Sequence, residues 1–310
     1  MLERLTLRLG VKTDPVEYRY SYDWLFRLMA EEGVHHAQLG SFFEMTLLPE
    51  EYFAHLRETA ERYGVRISSV FTTHRELGGW MRPEPGWETV ARRSYERFIQ
   101  VAAWLGAETV GGNPGSVLRD QMYYKAEGIQ RFVSHFKELM EYAHQLGVPC
   151  LTIEPMSCLA EPPTLPDEVR SVADELVAYH QAHPDSTSAM GYCADVGHGY
   201  ADLTGVVRYD NMQLLEAALP YTRVLHLKNT DALFGAVFGF GPVEREHGAV
   251  NIPVVRQFLL DRADILPVKV LVGYLEIGGP KLGLDYSDYR LESKLRESLR
   301  YLRSAFETPN

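Results

Sequence analysis

One pattern recurs four times in the first half of the chain: an amphipathic helical stretch ends at a glycine, and a short apolar run follows it. The stretches are LMAEEGVHHAQLG, TAERYGVRISSVF, AAWLGAETVGG and YAHQLGVPCLTIEP, with their glycines at Gly33, Gly64, Gly106 and Gly147. Glycine just past a helix end adopts the left-handed conformation without Cβ strain, so each stretch predicts a helix that stops and leads into a strand. Successive units of this kind predict parallel strands covered by helices.

Continuing the pattern along the chain gives eight strand candidates. They are residues 4–10, 36–40, 66–72, 108–112, 149–154, 190–195, 223–228 and 269–276. The stretch DYRLESKLRESLRYLRSAF adds a C-terminal amphipathic helix. Eight βα units in 310 residues predict an α/β protein with a (β/α)8 TIM barrel, and residues 1–310 as a single domain. A doubly wound open sheet is the alternative, but LRLGVKTDP offers no glycine-rich phosphate loop after the first strand.

Charge, hydropathy and cysteine content narrow the class of function. Lys and Arg number 31 against 42 Asp and Glu, a formal net charge of −11, whereas nucleic-acid binders usually present a basic surface. We therefore expect no nucleic-acid partner. The chain starts directly as a strand pattern and has no long apolar run, so we expect no membrane segment and a cytoplasmic location. Its sparse cysteines lack CxxC spacing, which fits a reducing compartment, and we expect Cys158 and Cys193 to be core thiols.

Four consecutive strand candidates each bring an ionisable group to the C-terminal rim of the barrel, where such barrels carry their chemistry. Glu154 ends the fifth strand and Asp195 the sixth, His226 lies near the end of the seventh, and Glu276 ends the eighth. Three carboxylates at one barrel mouth would repel each other, and a divalent cation coordinated by them offsets their charge. Oxygen-rich ligation with one nitrogen favours Mn²⁺, with Mg²⁺, Co²⁺ and Zn²⁺ as alternatives. The pattern predicts one divalent metal site, although any one of these residues alone would be an ordinary solvated or hydrogen-bonded group.

Four strand-end motifs also resemble a known family. They are Glu154, Asp195-Val-Gly-His198, His226-Leu-Lys228 and Glu276. In strand order, and over nearly the whole chain, they resemble the xylose isomerase-like TIM-barrel superfamily, which includes the D-tagatose and D-psicose 3-epimerases. The stretch EHGAVNIPVV resembles that family's glycine-containing loop before its last helical segment. The resemblance implies that the four rim residues bind the metal, that Glu154 and Glu276 exchange the substrate proton, and that His198 touches a substrate oxygen.

Two positions depart from the epimerase pattern. Glu161 stands one residue further from the strand-5 glutamate than the second glutamate of the epimerases, and KNTDALF after His226 contains no arginine. Both positions belong to substrate recognition, so the identity of the sugar stays open. The metal-dependent AP endonucleases of the superfamily use a larger, histidine-rich ligand set. That set and the acidic charge balance disfavour this branch.

The predicted function is a divalent-metal-dependent isomerase or epimerase that acts on a sugar or a sugar phosphate. Removal of the proton next to a carbonyl yields an enediolate, whose charge an adjacent cation stabilises. A ketose 3-epimerase uses a base on each face of the carbon, and an aldose–ketose isomerase shuttles one proton between adjacent carbons. Two alternatives remain: an inosose-dehydratase-like enzyme that expels water from a polyol ketone, and a non-catalytic barrel that binds sugar.

Further polar residues on the same side of the predicted barrel are candidates for substrate contacts. The candidate sugar contacts are His198, Lys228, Glu161, His74, Asn113 and Lys12, and the candidate phosphate contacts are Arg119, Lys125 and Lys281. For each of them the alternative is a solvated charge or a hydrogen-bonded loop residue. The longest irregular stretch, residues 232–250, follows the seventh strand and is predicted to be a loop near the active site. The resemblance also allows a homo-oligomer.

Overall fold

The computed structural model describes residues 5–17, 19–40, 43–72, 79–278 and 285–309. The strands are β1 Thr6–Lys12, β2 His36–Leu39, β3 Arg66–Thr72, β4 Thr109–Gly112, β5 Cys150–Ile153, β6 Ala189–Asp195, β7 Tyr200–Ala201, β8 Val207–Tyr209, β9 Thr222–Leu227 and β10 Val270–Leu275. The helices are α1 Tyr22–Glu31, α2 Phe43–Leu47, α3 Glu50–Arg62, α4 Trp87–Leu105, α5 Lys125–Gln145, α6 Pro166–Ala182, α7 Asn211–Ala218, α8 Pro242–His247, α9 Ile252–Asp261, α10 Asp285–Asp288 and α11 Leu291–Ala305.

Eight strands close into a parallel barrel in the order β1-β10-β9-β6-β5-β4-β3-β2, and pairing of β1 with β2 completes the ring. The predicted (β/α)8 barrel is confirmed. The doubly wound alternative is wrong, because its open sheet would leave two edge strands unpaired. β7 and β8 form a separate antiparallel pair after β6, which the sequence pattern did not indicate. β9 and β10 are therefore the seventh and eighth barrel strands.

The four recurring glycines end helices as predicted. Their φ angles are 69°, 65°, 65° and 73° at Gly33, Gly64, Gly106 and Gly147. The residue after each glycine donates its backbone N–H to a carbonyl in the last turn of the preceding helix. These bonds are Val34 to Met29, Val65 to Ala60, Ala107 to Ala102 and Val148 to Ala143. This geometry needs a left-handed residue at the helix end, which glycine adopts without strain. The local chemistry of four short segments thus repeats one turn around half of the barrel.

The C-terminal helix α11 closes the outer layer beside α1. Its apolar stripe of Leu295, Leu299 and Leu302 is fully buried, and burial of each such side chain contributes roughly 1.5–3 kcal/mol. On the rim of this contact, Arg296 and Arg300 donate hydrogen bonds to the buried carboxylate of Glu32. Burial alone would raise the pKa of Glu32, but these arginines hold it below its ordinary value.

Within the described part of the chain, no helix combines the length and apolar character that crossing a bilayer requires.

The segment after β9 is less irregular than the sequence indicates. It begins as a hairpin closed by two backbone hydrogen bonds between Asn229 and Phe238, of 2.8 and 3.1 Å. Helix α8 follows at Pro242–His247, inside the stretch 232–250. Asn229 is fully buried and fixes the base of the hairpin, since its side chain donates to the Glu244 carbonyl and accepts from the Val250 N–H. This anchoring holds the hairpin over the C-terminal ends of the barrel strands.

Candidate active site

The four ionisable rim residues converge at the C-terminal end of the barrel. Glu154 follows β5 directly, Asp195 is the last residue of β6, His226 lies in β9, and Glu276 follows β10 directly. One donor atom from each lies within 4.8 Å of the donor atoms of the other three. Parallel barrel strands all point the same way, so residues at equivalent strand ends share one rim although they are far apart in the chain.

His226 lies at the centre of this group. Its Nδ1 is 2.8 Å from Glu154 Oε1 and 3.5 Å from Glu276 Oε2. The imidazole is fully buried and packs edge-on against Phe71, with 4.8 Å between ring centroids. The ring therefore has one orientation, in which Nδ1 faces two carboxylates.

Two buried lysines contact carboxylates of the cluster, and Lys12 also contacts Asp14. Lys12 Nζ lies 2.7 Å from Glu276 Oε1 and 2.9 Å from Asp14 Oδ2, and Lys228 Nζ lies 2.8 Å from Asp195 Oδ2. Burial would lower the pKa of Lys12, but Asp14 and Glu276 outweigh burial and raise it well above its ordinary value. Burial likewise opposes the charge of Lys228, and Asp195 raises its pKa. Both lysines are therefore ammonium ions at neutral pH and partly offset the clustered carboxylates.

The pKa values of Glu154 and Glu276 are shifted downward. Burial alone would raise the pKa of Glu276, but Lys12 and His226 lower it well below its ordinary value. Burial also opposes ionisation of Glu154, and His226 outweighs it to lower the pKa of that carboxyl. Both glutamates are ionised at neutral pH. An ionised carboxylate can accept a proton, which a general base requires.

His198 is held in one tautomer by its two neighbours. Its Nδ1 lies 2.7 Å from the carbonyl oxygen of Pro155, and a carbonyl can only accept, so Nδ1 carries the hydrogen. Its Nε2 lies 2.7 Å from Nζ of Lys228, which can only donate. In this arrangement Nε2 of His198 faces the lysine ammonium group and accepts from it. Lys228 links His198 to Asp195 and fixes both.

Asn113 follows β4 and supports the group from the other side. Its Nδ2 donates to Glu154 Oε2 at 3.1 Å and lies 3.0 Å from Met156 Sδ. Its Oδ1 is buried and has no hydrogen-bond partner among the described residues. A buried acceptor without a donor is costly, by about 1–3 kcal/mol. Asn113 Oδ1 is therefore a candidate acceptor for a ligand hydroxyl.

The donor set fits a divalent cation. Glu276 Oε2 is buried without a hydrogen-bond donor among the described residues. Asp195 Oδ2 is buried 2.8 Å from Lys228 Nζ and 3.6 Å from His198 Nε2, both outside hydrogen-bond geometry. These oxygens and Nδ1 of His226 converge on the same point as Glu154. Three carboxylates and one imidazole are ligands that Mn²⁺, Mg²⁺ and Co²⁺ accept, and Zn²⁺ also binds such sets. The cluster could hold one such ion.

A cavity of about 380 Å³ opens in front of the cluster. Its polar wall includes Lys12, Asn113, Arg119, Glu154, Ser157, Cys158, Glu161, His198, Lys228 and Glu276. Its apolar wall consists of Met156, Leu233, Phe234 and Val237, three of which belong to the hairpin after β9. The cavity lies at the low end of the range for small-molecule sites, so it suits a compact ligand with many hydroxyls.

A larger cleft, of about 700 Å³, lies between the start of β1 and α11. It is lined by Arg8, Arg300 and Arg303, but the last two already pair with Glu32 and Glu307. It holds none of the four clustered donors. The position of the four clustered donors therefore favours the smaller cavity as the active site.

The remaining predicted contacts divide into three groups. Arg119 and Glu161 line the cavity, and Arg119 Nη2 also lies 2.9 Å from Cys158 Sγ. Lys125, the second candidate phosphate contact, pairs with Glu168 at the start of α6 and is not among the residues that line the cavity. His74 and Lys281 fall outside the described residues. The two cysteines expected in the core lie in different surroundings. Cys193 is buried in the barrel, whereas Cys158 is half-buried in the cavity wall.

Phe234 was missed by the sequence interpretation. It is the one non-glycine residue with positive φ, 63°, in the described part of the chain, a conformation that costs of order 1–3 kcal/mol. Asp231 Oδ1 stabilises the turn by accepting from the backbone N–H groups of Leu233 at 2.9 Å and Gly235 at 3.0 Å. The ring rests directly on Gly199, where an added Cβ would meet it at 2.4 Å. The only sequence signal is a DALFG turn in a long segment, which does not indicate where the ring points.

Comparison with known proteins gives the family. Residues 26–305 match the family described as xylose isomerase-like TIM barrel. The chain belongs to this family. Among curated proteins there is no significant match to this chain.

Solved structures share the fold of this family member over almost its whole length. A candidate xylose isomerase from Rhodospirillum rubrum superposes with a TM-score of 0.80 at 17% identity, covering 98% of this chain and 100% of that one. D-psicose 3-epimerase from Clostridium cellulolyticum H10, solved with D-tagatose, gives 0.66 at 15% identity, covering 97% and 100%. A protein from Bacillus anthracis, named as a 3-DHS dehydratase involved in petrobactin synthesis, gives 0.63 at 13%, covering 95% and 98%. At these identities the likeness shows the fold.

Proposed function

We propose that this protein is a divalent-metal-dependent isomerase or epimerase that acts on a small sugar or sugar phosphate by moving a proton next to a carbonyl. The observation that carries the proposal is the pair of ionised glutamates, Glu154 and Glu276, in one cluster with Asp195 and His226 at the base of a polar cavity. Family membership and the epimerases among similar structures support the same class of reaction.

In this proposal Glu154 and Glu276 exchange the substrate proton, and Asp195 and His226 complete the ligand set. A bound divalent ion would stabilise the negative charge that develops on the substrate oxygens when the proton leaves. Manganese is the preferred ion in this proposal, because hard oxygen donors dominate the set and one nitrogen joins them. If the two glutamates act on opposite faces of one carbon, the product is an epimer. If one of them carries the proton between neighbouring carbons, the product is an isomer.

The other cavity residues orient the substrate. Lys12 and Lys228 donate to substrate oxygens from either side of the cluster, and Asn113 Oδ1 accepts from a hydroxyl. His198 acts with Lys228, since its Nε2 lone pair lies on that ammonium group. Arg119 is the candidate partner for a phosphate, and Glu161 is a candidate for a distal hydroxyl. Apolar Met156 and the hairpin exclude water from the reacting carbons.

Hydrogen exchange in D₂O tests the proposal directly. The Mn²⁺-loaded protein is incubated with four- to six-carbon ketoses, including D-fructose, D-psicose and D-tagatose, and with their phosphates, and products are read by NMR. Deuterium at C3 identifies an epimerase, deuterium at C1 or C2 an isomerase, and loss of water a dehydratase.

Two variants are compared. Glu154→Gln removes a cluster carboxylate and is the test; Glu246→Gln removes an exposed carboxylate on α8 and is the matched control. Conversion to the epimer or isomer should fall by at least roughly 10²–10⁴-fold in the first variant and persist in the second. If the metal-loaded wild type exchanges no proton with any of these compounds yet binds them, the protein is a sugar-binding barrel and the catalytic proposal is wrong.

A further inference from the structure

Gln38 contacts His226, the one residue of the cluster that offers a nitrogen ligand, at the ring nitrogen that does not face the carboxylates. It lies in β2, its side chain is fully buried, and its Oε1 is 2.7 Å from Nε2 of His226. The two residues are 188 positions apart in the chain. Its strand neighbours Ala37 and Leu39 are ordinary buried apolar residues. A buried amide in such a strand is costly unless its donors and acceptor are satisfied, so its partners indicate why it is there.

The hydrogen-bond chain around Gln38 constrains the imidazole. An amide oxygen can only accept, so its contact with Nε2 requires a hydrogen on Nε2 of His226 and makes Nδ1 the nitrogen that can bind a cation once it gives up its own hydrogen. Nδ1 is the nitrogen that faces Glu154 and Glu276. At the other end of the amide, Gln38 Nε2 donates to Ser69 Oγ at 3.0 Å. The Ser69 hydroxyl thereby gives the amide hydrogens an acceptor and keeps Oε1 turned toward the histidine.

Thr109 extends the same chain. Its hydroxyl donates to Ser69 Oγ at 2.7 Å, so three consecutive barrel strands, β2, β3 and β4, contribute one residue each. The residues Gln38, Ser69 and Thr109 are all buried. A connected chain of buried hydrogen bonds inside a barrel restricts its members, and this one ends on a candidate metal ligand.

We propose that Gln38 is a positioning residue that keeps a hydrogen on Nε2 of His226 and directs Nδ1 at the carboxylate cluster as the nitrogen offered to a divalent ion, and that it thereby sets the affinity of the cluster for that ion. The inference rests on the proposed metal dependence. It adds a residue that lies outside the ligand set. A hydrogen-bonded partner on the far nitrogen orients a histidine ligand and increases its basicity, and loss of such a partner typically weakens metal binding 10–100-fold.

Metal affinity measured on three variants tests this role. Gln38→Leu has similar volume but no acceptor, so its dissociation constants for Mn²⁺ and Co²⁺ in titration calorimetry should rise roughly 10–100-fold. Gln38→Glu keeps an acceptor and adds negative charge, so its affinity should increase at least about twofold. The visible absorption bands of the Co²⁺-loaded Gln38→Glu protein should shift, because the carboxylate makes His226 a stronger donor.

Tyr274→Phe is the matched control for loss of a buried polar group inside the barrel. The Tyr274 hydroxyl is buried and bonds to Ser68 at 2.8 Å, so its removal should leave both metal affinity and the Co²⁺ spectrum unchanged. If Tyr274→Phe weakens binding as much as Gln38→Leu, the effect reflects general loosening of the barrel and the positioning role is wrong.

The outcomes separate this inference from the proposed function. A wild type that binds no divalent ion removes both. A wild type that binds the ion, together with a folded Gln38→Leu protein of equal affinity, removes the positioning role and leaves the proposed function intact. If Gln38→Leu does not fold, Gln38→Glu decides, and an unchanged affinity with an unchanged Co²⁺ spectrum overturns the inference.

Discussion

The two halves of the barrel contribute to the site in different ways. The second half supplies the candidate ligands from the ends of β5, β6, β9 and β10. The first half supplies no ligand candidate among the described residues. It supplies residues that bond to the ligands: Lys12 to Glu276, Gln38 to His226 and Asn113 to Glu154.

This difference separates two tasks that one barrel must perform. Carboxylates brought together repel each other, and each needs a fixed direction before it can bind an ion or take a proton. In this protein one half of the ring carries the reactive groups, and the opposite half aims three of them, whereas Asp195 is fixed by Lys228 from its own half. Loss of a group from the ligand half should abolish the chemistry, and loss of a supporting group should change affinities by smaller factors.

The largest effect is expected from the two glutamates. Glu154→Gln and Glu276→Gln keep an oxygen ligand but cannot take a proton, so turnover should fall by at least roughly 10²–10⁴-fold while part of the metal remains bound. Steady-state kinetics together with metal analysis of each variant measures both quantities. If both variants turn over near the wild-type rate when fully metallated, the two glutamates do not move the proton and the two-glutamate mechanism is wrong.

Lys12→Met sharpens the comparison because its two effects should have opposite signs. Removing an ammonium group 2.7 Å from Glu276 frees that carboxylate, so the affinity for Mn²⁺ should rise. Turnover should fall roughly 10–100-fold, the range for loss of a hydrogen bond to a charged group. Calorimetry and kinetics on the same preparation check the two signs. A Lys12→Met protein that loses metal affinity would place Lys12 with Gln38 as a support for metal binding.

Asn113→Ala should have a moderate effect. The variant loses both the acceptor Oδ1 and the hydrogen bond from Nδ2 to Glu154 Oε2. A neutral hydrogen bond contributes about 1 kcal/mol, so KM should rise roughly fivefold to tenfold with a smaller change in kcat. Asn113→Asp keeps an acceptor but places a carboxylate against Glu154, so it should be the worse variant. Equal KM values for wild type and Asn113→Ala would show that Asn113 does not contact the substrate.

The smallest effect is expected at the hairpin after β9, which belongs to neither task. Phe234→Ala removes part of the apolar cavity wall, so KM should rise a few-fold, at most roughly tenfold, with kcat little changed. Val243→Ala, an exposed apolar residue on the neighbouring α8, is the control and should change neither constant. A Phe234→Ala protein with the wild-type KM would indicate that the ring only fills the space above Gly199.

The sequence predicts the ligand half well because each of its signals is local. A glycine after an amphipathic helix specifies its own turn, and an acid or a histidine at the end of an apolar strand is conspicuous wherever the strand lies. Parallel connectivity then places every strand end on the same rim, so Glu154, Asp195, His226 and Glu276 could be grouped without knowing one distance. Their roles in metal binding and catalysis stay predictions.

Only the tertiary structure shows which side chains of the first half of the barrel contact the candidate ligands. A glutamine inside β2 gives no signal, since alternation along a strand fixes only the face of a side chain and not its partner across the barrel. The contact of Lys12 with Glu276 joins residues 264 positions apart, and that of Gln38 with His226 joins residues 188 apart. Lys125 and Phe234 show the same limit, because Lys125 at the start of α5 pairs with Glu168 outside the cavity lining, and the turn after β9 brings the unmarked ring of Phe234 into the cavity wall. Which side chains meet across a barrel depends on the stagger of its strands and the path of its loops, and only closure of the ring sets both.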